Sequence, residues 1–194
     1  VEPPQTKTQE VNLQLNSQPL YFEGYHRPAI TDEDHVVYEV ISRLLSDGRT
    51  SRLYQSLVQD QQVALSARGL SSFPGDKFPN LVLFYALTAP NHTLEEVSEA
   101  LTLEIEKLKT EPVSQAELER VKTQMQASLL RSLDSNQGMA RRLAEYEAKT
   151  GTWENLFNEL EAITAVTADD IQRVAKNTFT EDNRTIGRII SDKS

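Results

Sequence analysis

The sequence predicts an α+β domain in which an antiparallel-rich sheet is covered by helices on one face. Strand-like segments lie near both ends and in the second quarter of the chain, whereas residues 93–178 carry only helical patterns. Strands and helices that do not strictly alternate are typical of α+β folds. The 194 residues are enough for a sizeable core. We expect a linker or tail over residues 1–10 and a single domain over residues 11–194.

Two strands are predicted before the first helix. Val11, Leu13 and Leu15 alternate with polar residues, which is the period-two pattern of a half-buried strand. The aromatic-rich segment 20–25 predicts the second strand, and Pro28 ends it. Both segments are therefore expected to belong to the sheet.

The first helix is predicted to begin at Thr31, its N-cap, and to end before Gly48. Residues 31–34 read Thr-Asp-Glu-Asp, which resembles an N-cap followed by acidic residues that favour a helix N-terminus. Apolar residues then recur at helical spacing up to Leu45. Gly48 follows where a helix end favours a left-handed residue.

Residues 48–54 predict a tight corner between two helices, called here the helix corner. Thr50 or Ser51 is placed to cap the second helix. The corner is mainly structural in our interpretation, with a secondary role in placing strand 63–70, whose edge could pair with an extended peptide. The corner residues are Gly48, Ser51, Arg52, Leu53 and Tyr54, and the inner face of the second helix adds Leu57 and Val58.

The remaining elements follow from turn and cap signals. Residues 63–73 and 80–89 predict two antiparallel strands separated by a proline-containing turn. Thr93, Ser114 and Thr167 each precede an acidic residue by three positions, as in a capping box. Helix breaks are expected at Pro112, at Asn136 to Gly138 and at Gly151, with a short helix over 153–163 and a last strand over 183–191.

Composition excludes several classes of function. The net charge of −9 argues against nucleic acid, which needs a basic face. The chain has no cysteine, so disulfides and thiolate metal sites are excluded. No apolar run approaches a membrane span and no signal peptide opens the chain. We expect a soluble piece of something longer, because Val1 is not Met, and the compartment stays open between cytoplasm and periplasm.

No set of residues in this chain predicts catalysis by itself. The three histidines, His26, His35 and His92, lie in different predicted elements. His35 and Glu39 would share a helix face, but zinc needs three or four ligands, so we interpret them as a surface ion pair or hydrogen bond. The acidic cluster on the helix after Thr93 is interpreted as a solvated face; its members are Glu95, Glu96, Glu99, Glu104 and Glu106.

Four segments resemble one known family. They are "GYHRPAITDEDHVVYEVISRLLSDGRTSRLYQSLV" at 24–58, "EPVSQAELERVK" at 111–122, the run at 135–179 that begins "SNQGMARRLAEYEAKTGTW", and the closing "NRTIGRI" at 183–189. Their order resembles the C-terminal domain of pitrilysin/insulinase-type zinc peptidases of the mitochondrial-processing-peptidase-like branch. The resemblance implies the α+β sandwich of the metalloprotease LuxS/processing-peptidase type. It also implies a non-catalytic domain that forms part of a substrate chamber wall and a subunit interface.

The same resemblance implies what this chain lacks. The family's zinc site lies in an N-terminal domain with the motif H-x-x-E-H, which is absent here. We therefore expect no cofactor and no catalytic or metal-binding residue in this chain, with zinc held by the N-terminal catalytic domain of the parent. The implied partners are that domain, a companion subunit and a peptide substrate. The alternative is a scaffolding relative of the family with no proteolytic role.

Two positions depart from the substrate-gripping members of the family. Many of these relatives carry an Arg just after the leucine of the "SRLY..L" segment and a Tyr about seven residues later. The matching positions here are Val58 and Leu65. The resemblance leaves two possibilities. If the domain comes from the zinc-bearing subunit of a pair, these residues face the core or the chamber wall and a companion subunit supplies the Arg and the Tyr. Otherwise the domain comes from a wholly inactive structural relative.

Overall fold

A computed structural model describes residues 5–192, which form a five-stranded mixed sheet and a layer of helices. The strands run in the order β1-β5-β2-β4-β3 across the sheet. Strand β1 pairs with β5 in parallel, and all other neighbours are antiparallel. The strands are β1 (Gln9–Leu15), β2 (Leu20–Arg27), β3 (Ala64–Phe73), β4 (Asn80–Thr88) and β5 (Arg184–Ser191).

Helices supply the rest of the described chain. One helix and a π-helical segment, Tyr54–Asp60, lie between β2 and β3, and five helices lie between β4 and β5. A short 3₁₀ turn, Glu181–Asn183, leads into β5. The helices are α1 (His35–Ser46), α2 (Leu94–Thr110), α3 (Gln115–Ser132), α4 (Asn136–Thr150), α5 (Asn155–Ala165) and α6 (Ala168–Thr178).

The core lies between one face of the sheet and the helices. Alternate residues of β2 and β4 are buried, as the two-residue period of a strand requires. Tyr25 and Phe84 both pack edge-on against Phe179, which follows α6, with ring centroids 5.0 and 6.0 Å apart. This arrangement confirms the predicted α+β class and the helix-covered face.

The predicted helix signals are largely confirmed. Thr93, Ser114 and Thr167 each form both hydrogen bonds of a capping box, at the starts of α2, α3 and α6. Gly151 ends α4 with a φ of 82°. Ser135 caps α4 through the backbone N–H of Gly138, so the predicted break in the long run separates two helices.

Four expectations about local structure were wrong. Strand β1 begins at Gln9, inside the predicted tail; residues 1–4 of that tail lie outside the described residues. The apolar side chains of β1 are exposed, because no described element covers them. Helix α1 begins at His35, so Thr31 does not cap it and the acidic residues 32–34 precede it instead of forming its first turn; the carboxylate of Asp34 accepts from Arg173 at 2.7 and 2.8 Å. Helix α5 begins at Asn155, after two turn residues, instead of at Trp153.

Candidate functional surface

The helix corner at residues 48–54 is held by backbone geometry and two buried side chains. Gly48 has a φ of 76°, the left-handed conformation that was predicted. Leu53 and Leu57 are fully buried, whereas Tyr54 is only half-buried. The predicted side-chain cap is wrong. Ser51 Oγ donates to the carbonyl of Gly48 at 2.8 Å instead.

Arg52 ties the corner to the start of α3. Its Nε and one terminal nitrogen donate to the two carboxylate oxygens of Glu117 at 3.0 and 3.1 Å. Bidentate pairs of this kind fix both distance and orientation. The hydrogen bonds from Arg52 are the main cause that lowers the pKa of Glu117. Thr50 makes a second link, since Arg120 of α3 donates to its hydroxyl oxygen at 2.9 Å.

The two positions of the family's Arg and Tyr lie at different depths. Val58, in the π-helical segment, is half-buried and packs against the core. Leu65 is 48% exposed and lies at an irregularity in the pairing of β3 with β4. Neither side chain carries a hydrogen-bonding group, so neither can grip a peptide backbone as a guanidinium or phenol does. Their orientation toward a chamber stays a prediction.

Strand β3 is an edge of the sheet. It pairs only with β4 among the described strands, and the pairing shifts register after Ala64 and after Leu70. An edge strand presents unpaired backbone N–H and C=O groups to solvent, but irregular pairing limits how long a segment can add to it. The regular part, residues 66–70, is therefore the segment that offers backbone hydrogen bonds to an extended peptide.

The three histidines are not brought together as a metal site. Among residues 5–192, no group of three or more histidine, aspartate or glutamate side chains is arranged to hold a metal ion. The predicted surface pairing of His35 with Glu39 was wrong. The imidazole of His35 lies 2.7 Å from a terminal nitrogen of Arg27, while Glu39 accepts from Ser71 Oγ at 2.8 Å. Burial lowers the pKa of His35 and so favours the neutral form of its ring.

The acidic face of α2 is solvated, with one exception. Glu95, Glu96 and Glu99 are exposed, as predicted, and Glu96 also completes the capping box with Thr93. Glu104 is only 4% exposed, and it accepts a hydrogen bond from Lys107 at 2.6 Å. One turn of α2 therefore carries a buried carboxylate whose charge is balanced within the same helix.

A buried carboxylate on β2 was missed by the sequence analysis. Glu23 is fully buried and accepts hydrogen bonds from the phenols of Tyr21 and Tyr25 and from the hydroxyl of Thr102. Burial raises its pKa above the usual glutamate range, although these bonds and Arg184 oppose the shift. The strict alternation of β2 places position 23 on the inner face. This alternation in the sequence could have identified Glu23 as a buried residue.

The uncovered face of the sheet, called here the open face, is apolar across four strands. Leu13, Ile189, Leu20 and Leu87 form one row of cross-strand partners on β1, β5, β2 and β4. The neighbouring row carries Val11, Gly187, Phe22, Tyr85 and Arg68.

The strand at the edge of this face is the most exposed. Val11, Leu13 and Leu15 are exposed by 53%, 52% and 44%. Contiguous apolar surface of this kind marks an interaction site more often than a solvated surface.

A comparison of this sequence with models of protein families identifies the family of the chain. The family model described as "Peptidase M16 inactive domain" matches residues 1–125. The chain belongs to the peptidase M16 family. It is an inactive domain of these zinc proteases, which confirms the resemblance to their C-terminal domain. The absence of a metal-binding donor set in residues 5–192 is consistent with that description.

Similar proteins show how much of an M16 protein this domain represents. Zinc protease PqqE of Helicobacter pylori is 28% identical over 162 residues, which are 84% of this chain and 36% of that protein. A protease structure from Helicobacter pylori has a TM-score of 0.88 at 24% identity, and covers 96% of this chain and 45% of its own. The inactive peptidase domain of a Bordetella parapertussis protein has a TM-score of 0.78 at 28% identity.

The lengths of these M16 proteins differ. This chain covers 94% of the Bordetella parapertussis domain, but it spans only about a third of the curated relative. No helix among the described residues is long and apolar enough to cross a membrane.

Proposed function

We propose that this M16 domain docks through its open face onto the remaining part of a longer zinc protease. It forms a non-catalytic wall of the chamber in which peptides are cleaved. The proposal rests on one row of apolar cross-strand partners. This row extends apolar surface across four strands, and none of the described helices covers it; its members are Leu13, Ile189, Leu20 and Leu87. The alternating sequence of β1 predicts that its apolar side chains are buried, whereas the structure leaves them exposed. An element that covers the open face in the parent protein would account for both observations.

The length of the relatives supports the same occupant. The matched part of PqqE is 36% of that protein, so a longer M16 protein has ample chain to cover the face. At about 25 cal/mol per Å² of apolar surface removed from water, covering several half-exposed leucines and a phenylalanine provides several kcal/mol. The catalytic domain of the same parent is therefore the proposed partner.

The zinc and the peptide belong to the parent in this proposal. The residues of this chain do not fit the metal, because H-x-x-E-H is absent and the described histidines lie apart in the fold. The side chains at the family's gripping positions, Val58 and Leu65, lack the hydrogen-bonding groups. These two facts support a companion subunit that supplies the Arg and the Tyr. The 66–70 edge of β3 would line the peptide's path.

Two leucines of equal exposure test the docking surface. Leu13 on the open face and Leu103 on the solvent side of α2 are both 52% exposed. The chain and its Leu13→Asp and Leu103→Asp variants are titrated against the separately expressed remaining part of the parent protein. We expect Leu13→Asp to weaken association by at least about tenfold, since a buried charge opposes docking, and Leu103→Asp to leave it unchanged.

The stability of both variants provides the control. Exposed substitutions usually change the free energy of unfolding by no more than about 0.5 kcal/mol, so neither variant should lose its fold. Equal association of the wild-type chain and Leu13→Asp would refute docking through the open face. A complex that forms but cleaves no peptide would favour the scaffolding alternative.

A further inference from the structure

A cavity of about 580 Å³ lies between α1, α3, α4 and α5, on the helical side of the domain. Four arginines line it: Arg43 from α1, Arg131 from α3, and Arg141 and Arg142 from α4. Its volume is within the range of small-molecule sites. The chain as a whole carries a charge of −9, so a collection of four guanidinium groups runs against its overall composition. We call this cavity the arginine pocket.

The carboxylates of the pocket already have partners in the protein. Glu145 pairs with Lys149, and Glu159 accepts from Arg142 at 3.3 Å and from the phenol of Tyr146. The third carboxylate, Glu39, accepts from Ser71 Oγ at 2.8 Å. None of these three carboxylates therefore forms an ion pair with Arg131 or Arg141.

Two arginines of the pocket have no carboxylate partner in the described part of the chain. There, Arg131 donates to Ser128 Oγ alone, at 3.2 Å. Arg141 has no hydrogen-bond or ion-pair partner among residues 5–192. Arg43, in contrast, pairs with Asp47 at 3.0 Å. The uncommitted positive charge is thus confined to Arg131 and Arg141.

The N-terminus of α4 opens on the same cavity. Its cap, Ser135, and its first-turn glycine, Gly138, both line the wall. A Cβ at Gly138 would lie 2.2 Å from the carbonyl oxygen of Ser132, so only glycine permits this close turn between α3 and α4. The helix dipole adds positive potential at this end.

We propose that the arginine pocket binds a small oxyanion that carries carboxylate or phosphate groups. A guanidinium presents a planar pair of N–H donors that matches either group. Arg131 and Arg141 supply the charge, and the end of α4 supplies further donors. The site is separate from the open face, because all of its lining residues belong to helices or to the turn between two of them.

Calorimetric titration of the chain with inorganic phosphate, pyrophosphate and citrate at constant ionic strength tests the proposal. We expect saturable binding of at least one anion, and the comparison of citrate with the two phosphates distinguishes carboxylate from phosphate. The double variant Arg131→Gln/Arg141→Gln should weaken binding by more than about tenfold. A single hydrogen bond to a charged group already contributes a factor of about ten to affinity.

A matched double variant controls for net charge. Arg49 and Lys176 are also exposed and do not line this pocket, so Arg49→Gln/Lys176→Gln removes the same charge elsewhere. Unchanged affinity in this control supports the site. No saturable binding of any of the three anions up to about 10 mM, a very weak affinity, would overturn the proposal. Equal weakening in both double variants would also overturn it, because that result indicates general charge attraction.

Discussion

Gly48 lies between α1 and the π-helical segment, and its backbone conformation sets the turn between them. Its φ of 76° lies in the region that L side chains rarely adopt, and a Cβ there would meet no atom within 4 Å. The requirement for glycine is therefore conformational, with no steric contribution from neighbours. Gly138 is required for a different reason, because the carbonyl of Ser132 leaves no space for a Cβ there.

Gly48→Ala should lower the free energy of unfolding by about 1 kcal/mol, because alanine disfavours a left-handed backbone. Gly75→Ala is the control: Gly75 has open space around its Cα and no positive φ, and we expect a change within about 0.5 kcal/mol. Urea denaturation of both variants measures the difference. Equal midpoints for the two would contradict a conformational role for Gly48.

Leu57 anchors the π-helical segment in the core and is fully buried. Leu57→Ala should cost about 2–5 kcal/mol, from lost burial and the cavity that remains. Leu65→Ala removes the same atoms from a side chain that is 48% exposed, so its cost should stay near 0.5 kcal/mol. Chemical denaturation gives both values. A small loss for Leu57→Ala would mean that the core relaxes around the site.

Polar side-chain contacts join elements that lie far apart in the sequence. The loop after α1 reaches α3 through Arg52–Glu117 and Arg120–Thr50. Glu117 also completes the capping box of α3 with Ser114. One carboxylate therefore both starts a helix and fixes the position of the helix corner against it.

The Arg52–Glu117 contact should make stability depend on pH. The pKa of Glu117 is lower in the folded chain than in the unfolded chain, mainly because Arg52 donates to its carboxylate. This stabilisation is present above the unfolded pKa of about 4.3 and is lost as the pH falls through the lower folded pKa. Unfolding free energy should therefore fall less steeply below about pH 5 in Arg52→Gln than in the wild-type chain.

The matched control for this prediction is Arg120→Gln. Arg120 supports the same corner, but it contacts the hydroxyl and carbonyl oxygens of Thr50, which do not titrate. Its removal should lower stability by a similar amount at every pH. Urea denaturation of the three proteins from pH 3 to pH 7 separates the two cases. Parallel pH profiles for Arg52→Gln and the wild-type chain would contradict the role of the ion pair.

The domain as a whole is expected to have no catalytic activity. It lacks H-x-x-E-H, and its family model is described as an inactive domain. The purified chain should therefore hold no stoichiometric zinc after dialysis and cleave no peptide. Metal analysis beside a peptide-cleavage assay measures both. One tightly held zinc ion per chain would contradict this expectation.

The sequence by itself determined most of the elements and several of their ends. Capping boxes at Thr93, Ser114 and Thr167 and the left-handed glycines 48 and 151 are local, since each satisfies backbone groups within a few residues. The period-two pattern likewise identified β1 as a strand, and two apolar runs on either side of a proline-containing turn identified β3 and β4. The M16 resemblance was readable for a related reason: its segments keep these local signals in order.

Only the tertiary structure decided which faces are covered and which polar groups meet. Apolar alternation in β1 predicts burial, but burial depends on what packs against the strand, and no described element does. Arg52 meets Glu117 across 65 positions, and the four arginines of the pocket come from three helices. Such contacts depend on how helices pack, which follows from the shape of the whole core and from no local pattern.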